Sequence, residues 1–322
     1  MKFFDIAEYE SDLKAVSIII GGRGIGKTYS ALDYLIREKK RFLYMRNTRQ
    51  QIAECCSDFG NPFKRLNKDK GYDIRLIPEK EHINIVNENQ EVIGYASPLS
   101  VFENLRGIDL SDVDYVLFDE FIETRKLMFD QFKAFVNMRE TVGRNRELFG
   151  EPPLYCILLS NSQSLNNPIL AGYNLIPDIE GMIKSSQQKM KRKNIFVLLP
   201  ESEISELKKK TSTYEAIAHS RIYKENIENK FANDSFYGIK KRPIREYNPL
   251  CKIDDMYVYK HKSNGKFYVC SINAINIPEY SSKDNALAFY QGFGRWFPAE
   301  YANGYMEFSD FTIKSKFMKV IE

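Results

Sequence analysis

The stretch GGRGIGKT at residues 21–28 directly follows the apolar run AVSIII at 15–20 and precedes a helix-like pattern at 29–39. This order of strand, glycine-rich loop and helix is the context that the phosphate-binding pattern G-x-x-x-x-G-K-[ST] requires. The glycines let backbone N–H groups close around phosphates, and the helix N-terminus adds partial positive charge. Lys27 is predicted to bind the γ-phosphate of ATP, and Thr28 to hold Mg²⁺. The candidate nucleotide-binding residues of this loop are Gly21, Gly22, Arg23, Gly24, Ile25, Gly26, Lys27, Thr28 and Tyr29.

The first half of the chain alternates short apolar runs with helix-like stretches, which is typical of a parallel sheet flanked by helices. The segment 83–95 is interrupted by polar residues and predicts a hairpin inserted at an edge of that sheet. Apolar periodicity predicts a helix at 127–142. The predicted strands are 16–20, 42–45, 83–86, 92–95, 115–118 and 154–159.

Two acids, Asp119 and Glu120, follow the predicted strand at 115–118. Ligands gather at the C-terminal ends of parallel strands, so Asp119 can reach the Mg²⁺ that Thr28 holds. Glu120 is placed to activate a water molecule against the γ-phosphate, which indicates hydrolysis by a motor-type ATPase. An ordinary strand that ends in a polar loop is the alternative. The predicted fold class is α/β, a P-loop NTPase of the additional-strand, catalytic-glutamate (ASCE) type.

A third apolar strand ends at Ser160 and Asn161, which places Asn161 beside the phosphates as a sensor of hydrolysis or as a plain strand cap. Four arginines are candidates to stabilise charge on the transferred phosphoryl group. One lies in the P-loop, one directly precedes Gly107, and two lie in the segment TVGRNRE at 141–147. For each arginine taken alone, a surface salt bridge is the alternative role. These candidates are Arg23, Arg106, Arg144 and Arg146.

The 322 residues suffice for one large or two modest domains. Residues 181–245 carry 15 Lys and Arg against 7 Asp and Glu, whereas the whole chain has a net charge of +4. Such asymmetry indicates a polyanionic partner. We expect an ATPase domain at 1–180, a basic helical linker or lid at 181–245, and a small α+β domain at 246–322 that contains a hairpin of 256–260 and 266–271.

The five cysteines show no CxxC spacing, which favours reduced thiols over a disulfide framework. No apolar stretch approaches the roughly 20 residues that a membrane-spanning helix needs. The N-terminal segment MKFFDIAEYE is not typical of a signal peptide. These features predict a cytosolic protein without membrane contact.

With these motifs aligned, the chain resembles the DNA encapsidation (genome-packaging) ATPases of small tailed bacteriophages with protein-primed genomes, the picovirus type, which are related to terminase large subunits. The motifs occur in family order over roughly the first 170 residues. They are GGRGIGKT, FLYMRNT at 42–48, LRG at 105–107, VLFDEFIE at 116–123, ETVGRNRE at 140–147 and ILLSNSQSLNNP at 157–168.

The resemblance implies a homo-oligomeric ring ATPase, usually a pentamer, that docks on the portal (connector) of a procapsid and drives double-stranded viral DNA into it. It would act in the host bacterial cytoplasm and transiently at the portal vertex, in some relatives with a packaging RNA. Carried over by position, Arg46 would border the nucleotide, and Asn161 would couple hydrolysis to movement. Arg144 would be an arginine finger offered to a neighbouring subunit, and Arg106 a second candidate across the interface.

The last domain of this family resembles an RNase H-like nuclease. Here the predicted strand at 256–260 carries no acid, although Asp254 and Asp255 precede it. Because two-metal cleavage needs several converging carboxylates, we expect the nuclease-like fold without nuclease activity.

A motor that moves DNA of any base sequence should bind the phosphates of the backbone and make no base-specific contacts. The segment 61–70 offers four cations for such contacts, and KMKRK at 189–193 is a second candidate, with a solvated surface as the alternative for both. A P-loop helicase or helicase loader, and a nucleotide-gated adaptor without turnover, are the competing functions. The candidate DNA-binding residues of the first segment are Lys64, Arg65, Lys68 and Lys70.

Overall fold

The computed structural model describes residues 2–79, 82–103, 110–123, 127–162, 164–218, 223 and 238–321. The chain divides into two compact units, Met1–Tyr173 with Asp178–Asn233 and Asn174–Pro177 with Asp234–Glu322. No helix in the described ranges combines the length and the apolar character needed to cross a membrane.

The first unit is built on a mixed sheet whose nine described strands run in the order β3-β4-β5-β2-β6-β7-β1-β9-β8. The six central strands, from β5 to β9, are parallel, and antiparallel strands lie at both edges. The parallel α/β fold predicted from the sequence is therefore confirmed. The strands are β1 Val16–Gly21, β2 Phe42–Arg46, β3 Arg75–Pro78, β4 Ile83–Val86, β5 Val92–Pro98, β6 Tyr115–Asp119, β7 Tyr155–Asn161, β8 Lys189–Lys191 and β9 Ile195–Leu198.

Strands β6, β7 and β1 are neighbours, and their side chains are buried on both faces, as parallel strands covered by helices require. In the register of the sheet, Gly21 pairs with Asn161, and Asp119 pairs with Leu159. The P-loop, the acid pair and Asn161 consequently meet at the C-terminal ends of these central strands.

Helices cover this sheet and the connections between its strands. The segment 61–70, whose cations are candidates for DNA contact, is helical from Lys64 to Lys70, and its Phe63 and Leu66 are buried in the core. The helices of the first unit are α1 Lys27–Arg37, α2 Arg49–Cys55, α3 Lys64–Lys70, α4 Gln131–Gly143, α5 Pro168–Gly172, α6 Ile176–Lys184, α7 Glu203–Lys208 and α8 Ser212–Ala216, with 3-10 turns at Ile6–Asp12, Leu99–Glu103 and Arg146–Phe149.

The predicted helical linker at 181–245 differs from the structure at its start. Strand β9 pairs with β1 and β8 pairs with β9, so both belong to the main sheet. Strand β8 is the short run KMK, in which charged and apolar residues alternate, and it lies at an edge of the sheet. From composition alone, this run is read as part of a basic tract. Residues 219–222 and 224–237 of the predicted linker lie outside the described residues.

The second unit is an α+β domain, as predicted, with a mixed sheet in the order β13-β10-β11-β12-β14. Its central three strands are antiparallel, and β11 and β12 form the predicted hairpin, whose turn contains Gly265 at φ 75°. Buried rings of Phe289, Phe297, Phe308 and Phe317 pack the helices onto the sheet. The elements are β10 Tyr247–Ile253, β11 Met256–His261, β12 Phe267–Cys270, β13 Glu279–Tyr280, β14 Met306–Phe308, α9 Ala286–Phe289, α10 Phe297–Ala302 and α11 Phe311–Ile321.

Candidate functional site

The P-loop wraps the N-terminus of α1. Gly26, the residue that precedes this helix, has φ 101°, and Gly24 has φ 70°, which are conformations that residues with a side chain rarely adopt. A cleft of about 220 Å³ opens above the loop. It is lined by Arg23, Gly24, Gly26, Lys27, Thr28, Tyr29, Asp119, Glu120, Ser160 and Asn161.

The ammonium group of Lys27 is buried at the floor of this cleft. It donates hydrogen bonds to the carbonyls of Gly21 at 2.9 Å and Gly22 at 2.8 Å, and to Oδ1 of Asn161 at 3.1 Å. Burial lowers the pKa of Lys27 to about 8, against the opposing charge of Asp119. An anion placed beside this group would offset the cost of its burial.

Thr28 and Asp119 bring together the oxygen atoms that Mg²⁺ prefers. The Thr28 hydroxyl donates to Oδ1 and Oδ2 of Asp119 at 3.0 and 3.1 Å. Within the described residues, no three His, Cys, Asp or Glu side chains gather into a metal-binding group. One hydroxyl and one carboxylate fit a Mg²⁺ ion that takes its other ligands from water and substrate phosphates.

Arg46 joins the two acids. Its guanidinium forms an ion pair with Asp119 at 3.2 Å and a second, very close one with Glu120. Its Nε donates to the Tyr44 hydroxyl at 2.9 Å, which in turn donates to Asp119 at 3.1 Å. Burial opposes the charge on Arg46, but Asp119 and the other partners outweigh it and raise its pKa. The carboxylate of Glu120 is thus held by Arg46 at the mouth of the cleft.

The backbone of Glu120 is left-handed at φ 53°, which costs a non-glycine residue on the order of 1–3 kcal/mol. A buried amide network holds this turn. Asn47 donates to the carbonyl of Glu120 at 3.1 Å, and Gln131 donates to the carbonyl of Phe121 at 2.6 Å and to Asn47 at 2.7 Å. Asn167 donates to Gln131 at 2.9 Å and accepts from the first backbone N–H groups of α5.

Sequence reasoning missed this network and also Tyr44. Asn47, Gln131 and Asn167 are far apart in sequence, and each by itself is typical of a helix cap or a loop. Tyr44 has the pattern of an ordinary core residue of β2. The pairing of β2 with β6 brings Tyr44 and Asn47 to the acid pair, whereas Gln131 reaches it from the start of α4 and Asn167 from the N-cap of α5.

The candidate arginines separate in the structure. Arg23 is exposed at the rim of the cleft, and Arg106 lies outside the described residues. Arg146 is buried and donates to the carbonyls of Val113 at 2.8 Å and Ser111 at 3.2 Å, before β6 begins. Arg146 therefore anchors the segment that precedes β6, at the end of this strand that lies away from the cleft.

Arg144 follows α4 with φ 43° and is exposed. It lies two residues from Arg146, whereas Asp119 is at the far end of β6, a strand of five residues that spans roughly 13 Å. The geometry does not bring Arg144 into the cleft of its own chain.

The two candidate DNA-binding segments differ in how their cations are paired. In α3, Arg65 pairs with Asp69 and Lys70 pairs with Asp33 at 3.2 Å, whereas Lys64 and Lys68 are exposed one helical turn apart. In the tract 189–193, both lysines of β8 pair with Asp12, and Arg192 pairs with Asp178. This second tract is an edge strand tied down by its own ion pairs.

A family model described as Podovirus DNA encapsidation protein (Gp16) matches residues 2–271. The chain belongs to this family. Membership confirms the resemblance drawn from the sequence motifs and covers the whole P-loop unit.

Two curated members are similar to this chain. The DNA packaging proteins of Bacillus phages PZA and phi29 are each 27% identical to it over 241 residues, which is 71% of this chain and 66% of the relative. The match therefore spans slightly less than two thirds of the length of these relatives. A solved structure of the bacteriophage Phi-29 viral genome packaging motor assembly has a TM-score of 0.67 with 20% identity and covers 99% of both chains, which shows a shared fold.

Proposed function

We propose that this chain is the ATP-hydrolysing subunit of a motor that moves double-stranded viral DNA into a procapsid. The observation that carries the proposal is the meeting of Lys27, the Thr28–Asp119 pair and Glu120 at adjacent strand ends, in a chain of the DNA encapsidation family. Its relatives from phages PZA and phi29 are named DNA packaging proteins.

ATP is the expected substrate of the cleft. The backbone N–H groups of the P-loop and the ammonium of Lys27 surround the phosphates. Thr28 and Asp119 would hold Mg²⁺, which neutralises charge on the phosphate oxygens when it is bound. Asn161, which accepts a hydrogen bond from Lys27, can report the loss of the terminal phosphate to β7.

Hydrolysis requires Glu120 to accept a proton from water as the water attacks the γ-phosphorus and ADP leaves. The ion pair with Arg46 engages Oε2 of Glu120 and makes the carboxylate a weaker base. Release of Glu120 from Arg46 would therefore favour hydrolysis, while the amide network keeps the backbone of Glu120 in place.

The single chain does not bring Arg144 to its own cleft, so a role at a phosphate site requires a neighbouring subunit. In a head-to-tail ring, each subunit presents one surface to a different surface of the next subunit. We assign Arg144 as the arginine that reaches a neighbouring phosphate site. Arg144→Ala and Glu120→Gln subunits should each be inactive alone, and mixing them should restore part of the hydrolysis, because a Glu120→Gln subunit still offers Arg144 to the intact cleft of an Arg144→Ala neighbour; no restoration in mixed rings would contradict a role across the interface.

The exposed face of α3 is our candidate for DNA contact, with Lys64 and Lys68 as its cations. Removal of one cation that binds a DNA phosphate should reduce the salt dependence of DNA binding by about 0.9 in log–log slope. The pair of changes Lys64→Glu and Lys68→Glu should lower the slope by about two, whereas Lys189→Glu should not. An unchanged slope in the α3 variant would remove this surface from the proposal.

We also propose that the second unit does not cleave DNA. Its acids near β10 and β11 have protein partners: Asp255 pairs with Lys316, and Asp254 accepts from the backbone of Ser282 at 2.9 Å. Cleavage of plasmid DNA by the purified chain with Mn²⁺, abolished by Asp254→Ala, would contradict this.

The portal, a packaging RNA and the pentameric state remain predictions. Steady-state hydrolysis of ATP with and without duplex DNA, followed by a strand-displacement assay, tests the proposal against its competitors. We expect hydrolysis that duplex DNA stimulates and no unwinding. Efficient unwinding would favour a helicase, and nucleotide binding without turnover, even with portal and DNA, would favour an adaptor.

A further inference from the structure

A second lysine, Lys208, reaches the P-loop from outside the predicted motif. It is the last residue of α7, the helix that follows β9, and β9 is the sheet neighbour of β1. Its ammonium donates a hydrogen bond to the carbonyl of Arg23 at 2.5 Å. A side chain added at Gly24 would lie 2.6 Å from the same ammonium group.

The chain from β9 to α7 is fixed against the loop at several points. The ring of Pro200 lies 3.0 Å from the position that a Cβ of Gly21 would occupy, and Ile204 is buried. The Ser202 side chain caps α7, and Glu203 accepts from the backbone N–H of Lys2 at 3.2 Å. The arrival of Lys208 at the P-loop is therefore built into the packing of this segment.

Lys208 and Lys27 have the same kind of hydrogen-bond partner. Both ammonium groups donate to carbonyls of the P-loop. Among the described residues, no carboxylate forms an ion pair with Lys208, and Arg23 adds further positive charge beside it. Burial and Arg23 lower the pKa of Lys208, and the charge of Lys208 in turn helps to lower the pKa of Lys27. The two lysines thus form one cationic centre around the middle of the loop.

A cationic centre of this kind is stabilised by an anion with several oxygens. Lys208 has a flexible four-carbon stem, so its ammonium can exchange the Arg23 carbonyl for a phosphate oxygen without movement of α7. We propose that Lys208, together with Lys27, binds the γ-phosphate of ATP. This inference rests on the proposed ATP site and adds to it a binding residue from outside the P-loop.

Nucleotide affinity of the full-length chain tests the assignment without reference to turnover. The variants are Lys208→Met, which keeps the aliphatic stem, Lys208→Arg, which keeps the charge, and Lys210→Ala as a matched control on an exposed lysine two residues further on. Affinities for ATP and ADP are measured by titration calorimetry, with melting curves to establish that each variant is folded.

We expect Lys208→Met to weaken ATP binding about tenfold or more, the effect of losing one charge-assisted hydrogen bond, and to change ADP binding by less than about twofold. Lys208→Arg should restore most of the affinity, and Lys210→Ala should match the unmodified chain. Equal losses for ATP and ADP, or ATP binding by Lys208→Met equal to that of the control, would overturn the assignment. Failure of the unmodified chain to bind ATP would instead reject the ATP site itself.

Discussion

The buried charge of Lys27 makes the P-loop unit less stable than it would be without that charge. We predict that Lys27→Met stabilises the protein in the absence of nucleotide while it abolishes nucleotide binding. The change removes an ammonium from a side chain that is 7% exposed and replaces it with an apolar chain of similar length.

The size of the effect follows from the pKa of Lys27, which burial lowers from 10.5 to about 8. Since one pKa unit is worth about 1.4 kcal/mol, keeping Lys27 charged at pH 7 costs about 3 kcal/mol of folding free energy. Loss of the hydrogen bonds to Gly21, Gly22 and Asn161 offsets part of this gain. A net stabilisation of about 2 kcal/mol should raise the melting temperature by about 4–8 °C.

The pH dependence provides the control. A lysine with a lowered folded pKa releases its proton more readily in the folded state, so the unmodified chain gains stability as pH rises from 8 to 10.5. The advantage of Lys27→Met should therefore shrink by about 2 kcal/mol between about pH 7 and pH 9.5, as measured by thermal unfolding. A variant that is less stable at neutral pH, or an advantage independent of pH, would refute this account of the buried charge.

Two further predictions concern residues outside the cleft. Arg146→Met should destabilise the first unit by about 2–3 kcal/mol in urea unfolding, because it leaves the carbonyl of Val113 without its buried donor. ATP affinity should stay unchanged. A fall in ATP affinity with normal stability would instead place Arg146 at a phosphate site. Glu307→Gln should destabilise the second unit by about 1–3 kcal/mol at neutral pH, since Arg242 donates two bonds to this buried carboxylate. Arg242 lowers the pKa of Glu307, so this difference should shrink progressively as pH falls from 4.5 through the lowered pKa, and a difference that stays constant over that range would contradict the ion-pair explanation.

The central strands and the P-loop could be predicted because their signals are local. Apolar runs such as β1 and β6 are buried on both faces, and GGRGIGKT has a fixed spacing. The P-loop and the acid pair could be expected to meet because ligands gather at the C-terminal ends of parallel strands.

Partners distant in sequence could not be predicted. Nothing near Arg46 indicates that it would pair with Glu120, 74 residues away, and Lys208 lies 185 residues from its acceptor in the P-loop. Composition also did not reveal where charge serves packing. The lysines of β8, a candidate for DNA contact, pair with Asp12 on the edge strand of the sheet.

The most direct test of the central claim is a packaging assay that measures DNA protected from nuclease inside matched procapsids. With ATP and Mg²⁺, the unmodified chain should protect full-length duplex DNA, whereas Glu120→Gln should bind ATP normally and protect none. Protection that persists in Glu120→Gln, or that does not require ATP, would contradict the proposal that hydrolysis at this site drives DNA movement.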